Sequence, residues 1–124
     1  MGASKDQILG VIQKYVDLVA TGTADEIVAL YADGATVEDP VGSEVLGTRE
    51  QIHEFYRAIE GLDQESRLVT VRVAGNEAAF LFELVTKAGG KTYTLAPIDH
   101  MTFDDEARVT RMRAFWGDGD MVVS

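Results

Sequence analysis

The first half of the chain places hydrophobic residues with the period of an α-helix. Between residues 5 and 21, apolar side chains recur three or four positions apart, as in a helix with one buried face. Ser4 and Gln7 match a capping box at its start, and Gly22 marks its end. The pattern predicts a first helix from about Lys5 to Thr21, with a buried stripe of Ile8, Val11, Ile12, Tyr15, Val16 and Val19.

Two shorter helices are expected next. Thr23 begins the first of them, which faces inward through Ile27, Leu30 and Tyr31 before a turn at Asp33-Gly34. Thr48 and Gln51 form a second capping box. It predicts a third helix from about Arg49 to Glu60, with an inward face of Ile52, Phe55, Tyr56 and Ile59.

Between these two helices, the segment Ala35–Asp39 has the alternation of a short strand. Pro40 ends it, because proline cannot donate the next ladder hydrogen bond. Alternation puts Ala35, Val37 and Asp39 on one face and Glu38 on the other. Asp39, rather than Glu38, is therefore expected to face inward.

From Ser66 onward the pattern changes to alternation interrupted by turn signals. Residues 74–76, 88–90 and 104–106 are rich in Gly, Asn and Asp, and they separate strands at about 66–73, 77–87, 91–103 and 108–116. Three helices followed by an antiparallel meander indicate an α+β protein. A curved sheet wrapped over the helices would enclose one cavity.

The 91–103 segment carries an acid on an apolar face. Asp99 shares its face with Tyr93, Leu95, Pro97, Met101 and Phe103 if the segment is one strand. An ionised carboxylate would lose its hydration there, so a neutral acid with a raised pKa is favoured. Such a group can donate a hydrogen bond, and perturbed acids of this kind cluster at functional sites.

Composition and charge narrow the range of functions. The 124 residues suit a single domain spanning positions 1–124. The net charge of −10 disfavours nucleic acid as a partner, and no apolar run is long enough to span a membrane, so a cytoplasmic location is the default expectation. The chain has no cysteine and two histidines, and we expect no metal site.

Tyr15, Asp39 and Asp99 are the candidates for chemistry. Each has an ordinary structural explanation alone: a core tyrosine with a satisfied hydroxyl, a strand-end carboxylate before proline, or an edge position. Their convergence from three elements favours proton abstraction beside a carbonyl. Ionised Asp39 would be the base, while Tyr15 and protonated Asp99 would donate hydrogen bonds to the developing enolate oxygen.

Six blocks spread over nearly the whole chain carry a family resemblance. They are Tyr15 within QKYV, ATVEDPVGSE from Ala35 to Glu44, EFY from Glu54 to Tyr56, NEAAF from Asn76 to Phe80, APIDH from Ala96 to His100 and MRAFWG from Met112 to Gly117. In combination they make the chain resemble the bacterial ketosteroid isomerases (steroid Δ-isomerases) of the nuclear transport factor 2-like superfamily. Ketosteroid isomerases are a standard example of enzymes whose apolar site keeps a carboxylic acid neutral, as inferred above for Asp99.

The resemblance implies a cone-shaped, cystatin-like α+β fold with a curved antiparallel sheet over three helices. It also implies a homodimer, no cofactor and an apolar pocket for a 3-oxo-Δ5 steroid. Asp39 matches the family's base, and Tyr15 and Asp99 match its oxyanion-hole donors. Tyr31 and Tyr56 match a supporting hydrogen-bond network, and the wall positions fall on Phe55, Phe82, Leu84, Met112 and Trp116. Thr86 departs from relatives that carry an aromatic residue there.

Other functions on the same fold stay open. A binding module would keep the apolar cavity for a steroid without needing Asp39 as a base. The same pocket could also act on another acidic C–H substrate. A cyclase or epoxide hydrolase commonly uses an Asp-Arg arrangement, but alternation puts Arg111 and Arg113 on the face opposite Trp116.

Overall fold

The order of elements in the computed structural model, which describes residues 2–124, is that of an α+β protein, as predicted. The three helices are α1 (Lys5–Thr21), α2 (Ala24–Val28) and α3 (Arg49–Arg57). The strands are β1 (Tyr31–Glu38), β2 (Asp63–Ala74), β3 (Glu77–Ala88), β4 (Lys91–Leu95), β5 (Ile98–Phe103), β6 (Val109–Phe115) and β7 (Met121–Val123). A short 3₁₀ turn, Asp118–Asp120, precedes β7.

Side-chain caps fix where the three helices begin. The side chains of Ser4, Thr23 and Thr48 each accept a hydrogen bond from the backbone N–H three residues later. In return, the backbone N–H of each capping residue donates to the side chain of that later residue, which completes a capping box. The predicted boxes at Ser4 and Thr48 are therefore confirmed. Helix α3 ends at Arg57, three residues before the expected boundary at Glu60.

The seven strands form one curved, unclosed sheet over the helices, in the cone-like arrangement that was expected. Its order is β1-β6-β5-β3-β4-β7, with β2 on the other side of β3. The prediction of a purely antiparallel sheet is wrong at one edge, because β1 runs parallel to β6. A parallel neighbour requires a long crossover, and here the chain between β1 and β6 includes α3 and four other strands.

Strand β1 begins earlier than predicted. Tyr31, expected on the second helix, is its first residue, and the Asp33-Gly34 pair lies within the strand rather than in a turn before it. The pairing with β6 shifts between Tyr31 and Thr36, as at a bulge. Gly34 adopts a positive φ of 77° there, a conformation that glycine reaches without strain. The Asp33-Gly34 pair therefore marks an irregularity within β1 rather than a turn that precedes the strand.

The predicted strand 91–103 is divided in two. Pro97 separates β4 from β5, and β3 pairs with β4 along one half of its length and with β5 along the other. Proline has no N–H for the ladder, so pairing breaks at this point. The predicted inward face nevertheless holds in β5, where Asp99, Met101 and Phe103 are all buried.

Two strands of the sheet differ from the sequence prediction. Strand β2 starts at Asp63 rather than near residue 66, and β7 was not predicted at all. Residues 121–123 pair with β4, although all three are largely exposed. A three-residue strand without a buried face has no detectable alternation. Across residues 2–124, the helices are all too short or too polar to traverse a lipid bilayer.

Phe103, on β5, is predicted to contribute strongly to stability through its burial in the core between the sheet and the helices. Phe103 is 2% exposed, and Phe103→Ala should lower the free energy of unfolding by about 3–5 kcal/mol through lost burial and a cavity. Leu62→Ala, at a site 41% exposed, should change it by about 0.5 kcal/mol or less. Urea denaturation measures both, and equal losses would contradict the assignment of Phe103 to the core.

Candidate active site

The predicted catalytic residues meet in one cavity between the sheet and the helices. Tyr15 comes from the buried stripe of α1, Asp39 follows the last residue of β1, and Asp99 is the second residue of β5. The cavity has a volume of about 170 Å³. Its lining consists of Tyr15, Val19, Asp39, Phe55, Tyr56, Ile59, Phe82, Leu84, Leu95, Pro97, Asp99 and Trp116.

Asp99 is the most deeply buried acid of the site. It is 1% exposed, and its Oδ1 atom has no hydrogen-bond partner in the described part of the chain. It pairs across the sheet with Phe80 and Ala114. Burial, and then the negative charge of Asp39, raise the pKa of Asp99 well above its usual range. Both causes favour the protonated form of Asp99.

Asp39 lies in a more polar setting at the edge of the same cavity. The indole Nε1–H of Trp116 donates a hydrogen bond to Asp39 Oδ1 at 2.8 Å. Burial raises the pKa of Asp39, and the hydrogen bond from Trp116 opposes that shift by stabilising the carboxylate. The two acids thus line one cavity but have different surroundings and hydrogen bonds. These surroundings favour ionisation more at Asp39 than at Asp99.

Three buried tyrosines form a chain that ends at the cavity. The hydroxyl oxygens of Tyr31 and Tyr56 are 2.6 Å apart, and those of Tyr56 and Tyr15 are 3.0 Å apart. Burial is the main cause that raises the pKa of all three phenols well above the usual range. If Tyr31 donates to Tyr56 and Tyr56 donates to Tyr15, the Tyr15 proton is left for a ligand. Tyr31 itself lies outside the cavity, behind Tyr56.

Four of the five predicted wall residues line the cavity, namely Phe55, Phe82, Leu84 and Trp116. Met112 does not: it is fully buried in the core cluster and is not part of the lining. Thr86 also lies outside the lining, where its Oγ1 accepts a hydrogen bond from Gln64 Nε2 at 2.9 Å. Alternation identified the inward face of β6, but it could not tell which inward residue meets the cavity and which meets other side chains.

Four lining residues were not singled out from the sequence: Val19, Ile59, Leu95 and Pro97. Each carried a partial signal, because Val19 and Ile59 belong to predicted helix stripes and Leu95 and Pro97 to the predicted face of Asp99. Their contact with the cavity depends on the break at Pro97 and on the packing of α1 and α3 over the sheet. Neither is visible in hydrophobic periodicity.

A second, shallower depression lies between α2 and α3. Its volume is larger, about 600 Å³, but its lining is Asp25, Val28, Ala29, Arg49, Glu50, His53 and Glu54. His53 there forms a 2.8 Å contact with the exposed carboxylate of Asp25. The depression includes none of the predicted catalytic residues and none of the strongly shifted acids. The smaller cavity is therefore the candidate active site.

The cavity can support proton transfer on a largely apolar ligand. Its lining combines two carboxyl groups in different surroundings, Asp39 and Asp99, with the Tyr15 hydroxyl, and such groups can act as a base and as hydrogen-bond donors. Edge-to-face packing on Phe80 and Phe82 holds the Tyr15 ring, with centroids 6.2 and 6.4 Å away. Among the described lining residues none is basic, and Arg113 instead pairs with Glu38 on the outer face.

The fold and this site define a class of protein. A model of the SnoaL-like domain matches residues 12–112, which is most of the chain. The protein therefore belongs to the SnoaL-like domain family, which shares the nuclear transport factor 2-like α+β cone. This confirms the family resemblance drawn from the sequence.

Two known proteins are similar over almost the whole chain. A steroid Delta-isomerase from Nocardioides simplex is 45% identical over 118 residues, which cover 95% of this chain and 96% of that protein. The solved structure of SalBIII, an epoxide hydrolase/cyclase-like enzyme described in pyran ring formation in the polyether salinomycin, superposes with a TM-score of 0.89. It is 22% identical and covers 98% of both chains, so it supports a shared fold alone.

The raised pKa of Asp99 should appear in the pH dependence of stability. The native protein keeps a proton that the unfolded chain releases above the ordinary aspartate pKa of about 3.9. The free energy of unfolding should therefore fall as pH rises above that value, by up to about 1.4 kcal/mol per pH unit from this group, until the raised native pKa is reached.

Asp99→Asn removes this titration while keeping a side chain of similar size. Its free energy of unfolding, measured by urea denaturation from pH 4 upward, should have a flatter pH dependence than the parent's. Asp105→Asn, which makes the same change at an exposed acid, is the matched control and should follow the parent. Identical slopes for Asp99→Asn and the parent would mean that Asp99 titrates like a solvated carboxyl group.

Proposed function

We propose that the protein is a steroid Δ-isomerase that converts a 3-oxo-Δ5 steroid to its conjugated Δ4 isomer. The observation that carries the proposal is the presence of two acids with different surroundings, Asp39 and Asp99, in the lining of one apolar cavity. An enolisation needs a base and an acid that do not neutralise each other. The 45% identity to a steroid Delta-isomerase supports an isomerase, and supports a steroid as the substrate class.

In the first step, the Asp39 carboxylate takes a proton from the carbon between the ketone and the alkene. The electron pair of that C–H bond moves into the conjugated system and forms a dienolate. Tyr15 and protonated Asp99 donate hydrogen bonds to its oxygen, where negative charge develops. Tyr56 and Tyr31 support the Tyr15 phenol by donating along the hydroxyl chain.

In the second step, protonated Asp39 returns the proton to the far end of the dienolate. The carbonyl re-forms, the alkene becomes conjugated with it, and Asp39 is again a carboxylate. One base can serve both carbons because apolar walls such as Phe55, Leu84 and Trp116 keep water from the intermediate. No cofactor is needed in this scheme, since no electrons leave the substrate.

A non-catalytic steroid-binding module is the main alternative, and the same cavity acting on another acidic C–H bond is a second one. The Trp116 hydrogen bond favours catalysis over binding alone, because it stabilises a carboxylate that an apolar ligand does not need. A cyclase with a water-activating Asp-Arg pair is disfavoured, since Arg113 is engaged with Glu38 outside the cavity.

Asp39→Asn should abolish most turnover while leaving steroid binding intact. Loss of a general base costs about 10²- to 10⁴-fold in rate, and the amide keeps the size of the side chain. The assay follows the ultraviolet absorption of the conjugated enone formed from androst-5-ene-3,17-dione, with Asp105→Asn as an exposed control. No turnover by the parent, with the steroid still bound, would favour the binding module.

Tyr15→Phe and Asp99→Leu test the two hydrogen-bond donors. Each should lower kcat by about 10²-fold, the typical effect of removing one oxyanion donor. Tyr31→Phe, which removes only the end of the hydroxyl chain, should have a smaller effect. Near-parental rates in both donor variants would exclude their role at the dienolate oxygen.

We also propose that the protein is a cytoplasmic homodimer, as the family resemblance implies. Ile98 and Phe115 pair on the outer face of the sheet and are 50% and 44% exposed, so a second copy could cover them. Phe115→Glu should then shift the sedimentation velocity from that of a dimer to that of a monomer. A parent that sediments as a monomer at every concentration would contradict the dimer.

A further inference from the structure

Glu38, which sequence alternation excluded from the cavity, has two well-defined partners on the outer face of the sheet. Its Oε1 accepts a hydrogen bond from Arg113 Nε at 3.0 Å, and its Oε2 accepts one from the backbone N–H of Gly42 at 2.9 Å. The side chains of Glu38 and Arg113 are only 16% and 29% exposed. The Gly42 N–H and then Arg113 lower the pKa of Glu38, consistent with an ionised carboxylate.

These contacts enclose the segment that carries Asp39. Strand β1 ends at Glu38, and the next residue but one is proline, which offers no N–H for further pairing. Gly42 has a φ of 103°, which glycine adopts without strain, and its N–H donates the bond that Glu38 Oε2 accepts. The Glu38 side chain thus closes a short loop, residues 39–42, around the base.

The end of β6, together with Trp116 just after it, holds this loop at three places. Arg113 binds the Glu38 side chain, the Ala114 carbonyl accepts a hydrogen bond from the Val41 N–H at 2.8 Å, and Trp116 binds Asp39 itself. Arg113 also lies over the Phe115 ring, 5.3 Å from its centroid, which restrains the guanidinium. The loop has one local backbone bond, from the Ser43 N–H to the Pro40 carbonyl at 3.0 Å, and its contacts with β6 and Trp116 fix where it lies against the sheet.

We infer that Glu38 and Arg113 are positioning residues for the base Asp39. They act from outside the cavity through the 39–42 loop and do not touch the reacting atoms. A partly buried ion pair at the protein surface is expected to contribute only modestly to stability. A small displacement of a catalytic group can cost far more in rate than in folding. The kinetic part of this inference rests on the proposed function, whereas the structural part does not.

The test uses Glu38→Ala, Glu38→Gln and Arg113→Met, with Arg111→Met as the matched control. Glu38→Gln keeps an acceptor for the Gly42 N–H but loses the charge. Arg111 lies two residues from Arg113 on the same strand face and is exposed. Its charge also acts on Glu38, as the weakest of the causes that lower the Glu38 pKa, so its replacement controls for the loss of a nearby charge without removing the hydrogen bond to Glu38. Sedimentation velocity on each variant separates a change of dimerisation from a change of loop position.

The expected kinetic result is a loss in kcat of about 10-fold for Glu38→Ala, with KM nearly unchanged. Glu38→Gln should recover part of that loss, and the double variant Glu38→Ala/Arg113→Met should be no worse than Glu38→Ala, because both residues act on one loop. Affinity for a phenolic steroid, which mimics the dienolate at Tyr15 and Asp99, should stay within about twofold of the parent. Arg111→Met should match the parent throughout.

The second readout needs no turnover. Trp116 is the only tryptophan of the chain, so its indole N–H gives a single ¹H–¹⁵N resonance that reports the bond to Asp39. That resonance should move in Glu38→Ala and Arg113→Met and stay in place in Arg111→Met. A parent without isomerase activity but with this indole response would refute the proposed function and leave the positioning role standing.

Two results would overturn the inference. One is parental kcat and an unmoved indole resonance in folded Glu38→Ala or Arg113→Met. The other is an equal loss of kcat and of phenolic-steroid affinity, which would indicate general distortion of the cavity rather than displacement of the base. If Glu38→Ala does not fold, Glu38→Gln and Arg113→Met decide the question alone.

Discussion

The site depends on one costly feature, the burial of the Asp99 carboxyl group on an apolar sheet face. Its Oδ1 has no partner within the described chain, and solvation by water is almost completely lost. A charge in that position would need compensation that the surrounding Phe80, Ala114 and Pro97 do not provide. Burial therefore favours the protonated form of Asp99, at a cost to stability above the ordinary aspartate pKa. Burial likewise raises the pKa of the three phenols of the tyrosine chain.

The surroundings of Asp39 differ from those of Asp99 because they include a hydrogen-bond donor to the carboxylate. It borders the same cavity, yet the Trp116 indole N–H stabilises its carboxylate. The difference between the two acids comes from the elements that carry them: Asp99 lies within a sheet strand, whereas Asp39 follows the end of one. The proposed base must be ionised and correctly placed, and the position after β1, fastened to β6, suits both requirements.

Much of this arrangement could be predicted from the sequence because it depends on local periodicity. Helix stripes placed Tyr15 and Tyr56 inward, and alternation separated Asp39 from Glu38 and put Asp99 among apolar residues. Long-range features were missed, since the parallel pairing of β1 with β6 and the break at Pro97 depend on neighbours distant in sequence. Met112 was missed for the same reason: alternation correctly predicted that it faces inward, but its neighbours are core side chains rather than the cavity. Residues 121–123 carried no signal, because all three are exposed.

The proposed mechanism requires Asp99 to be protonated while Asp39 is ionised in the same cavity at neutral pH. Infrared spectroscopy distinguishes these states, because a protonated carboxyl group has a C=O stretching band that a carboxylate lacks. Such a band is expected in the parent at pH 7, with its loss in Asp99→Asn and its retention in Asp39→Asn. A parent without the band, or a band that disappears with Asp39→Asn and persists in Asp99→Asn, would contradict the assignment of acid and base.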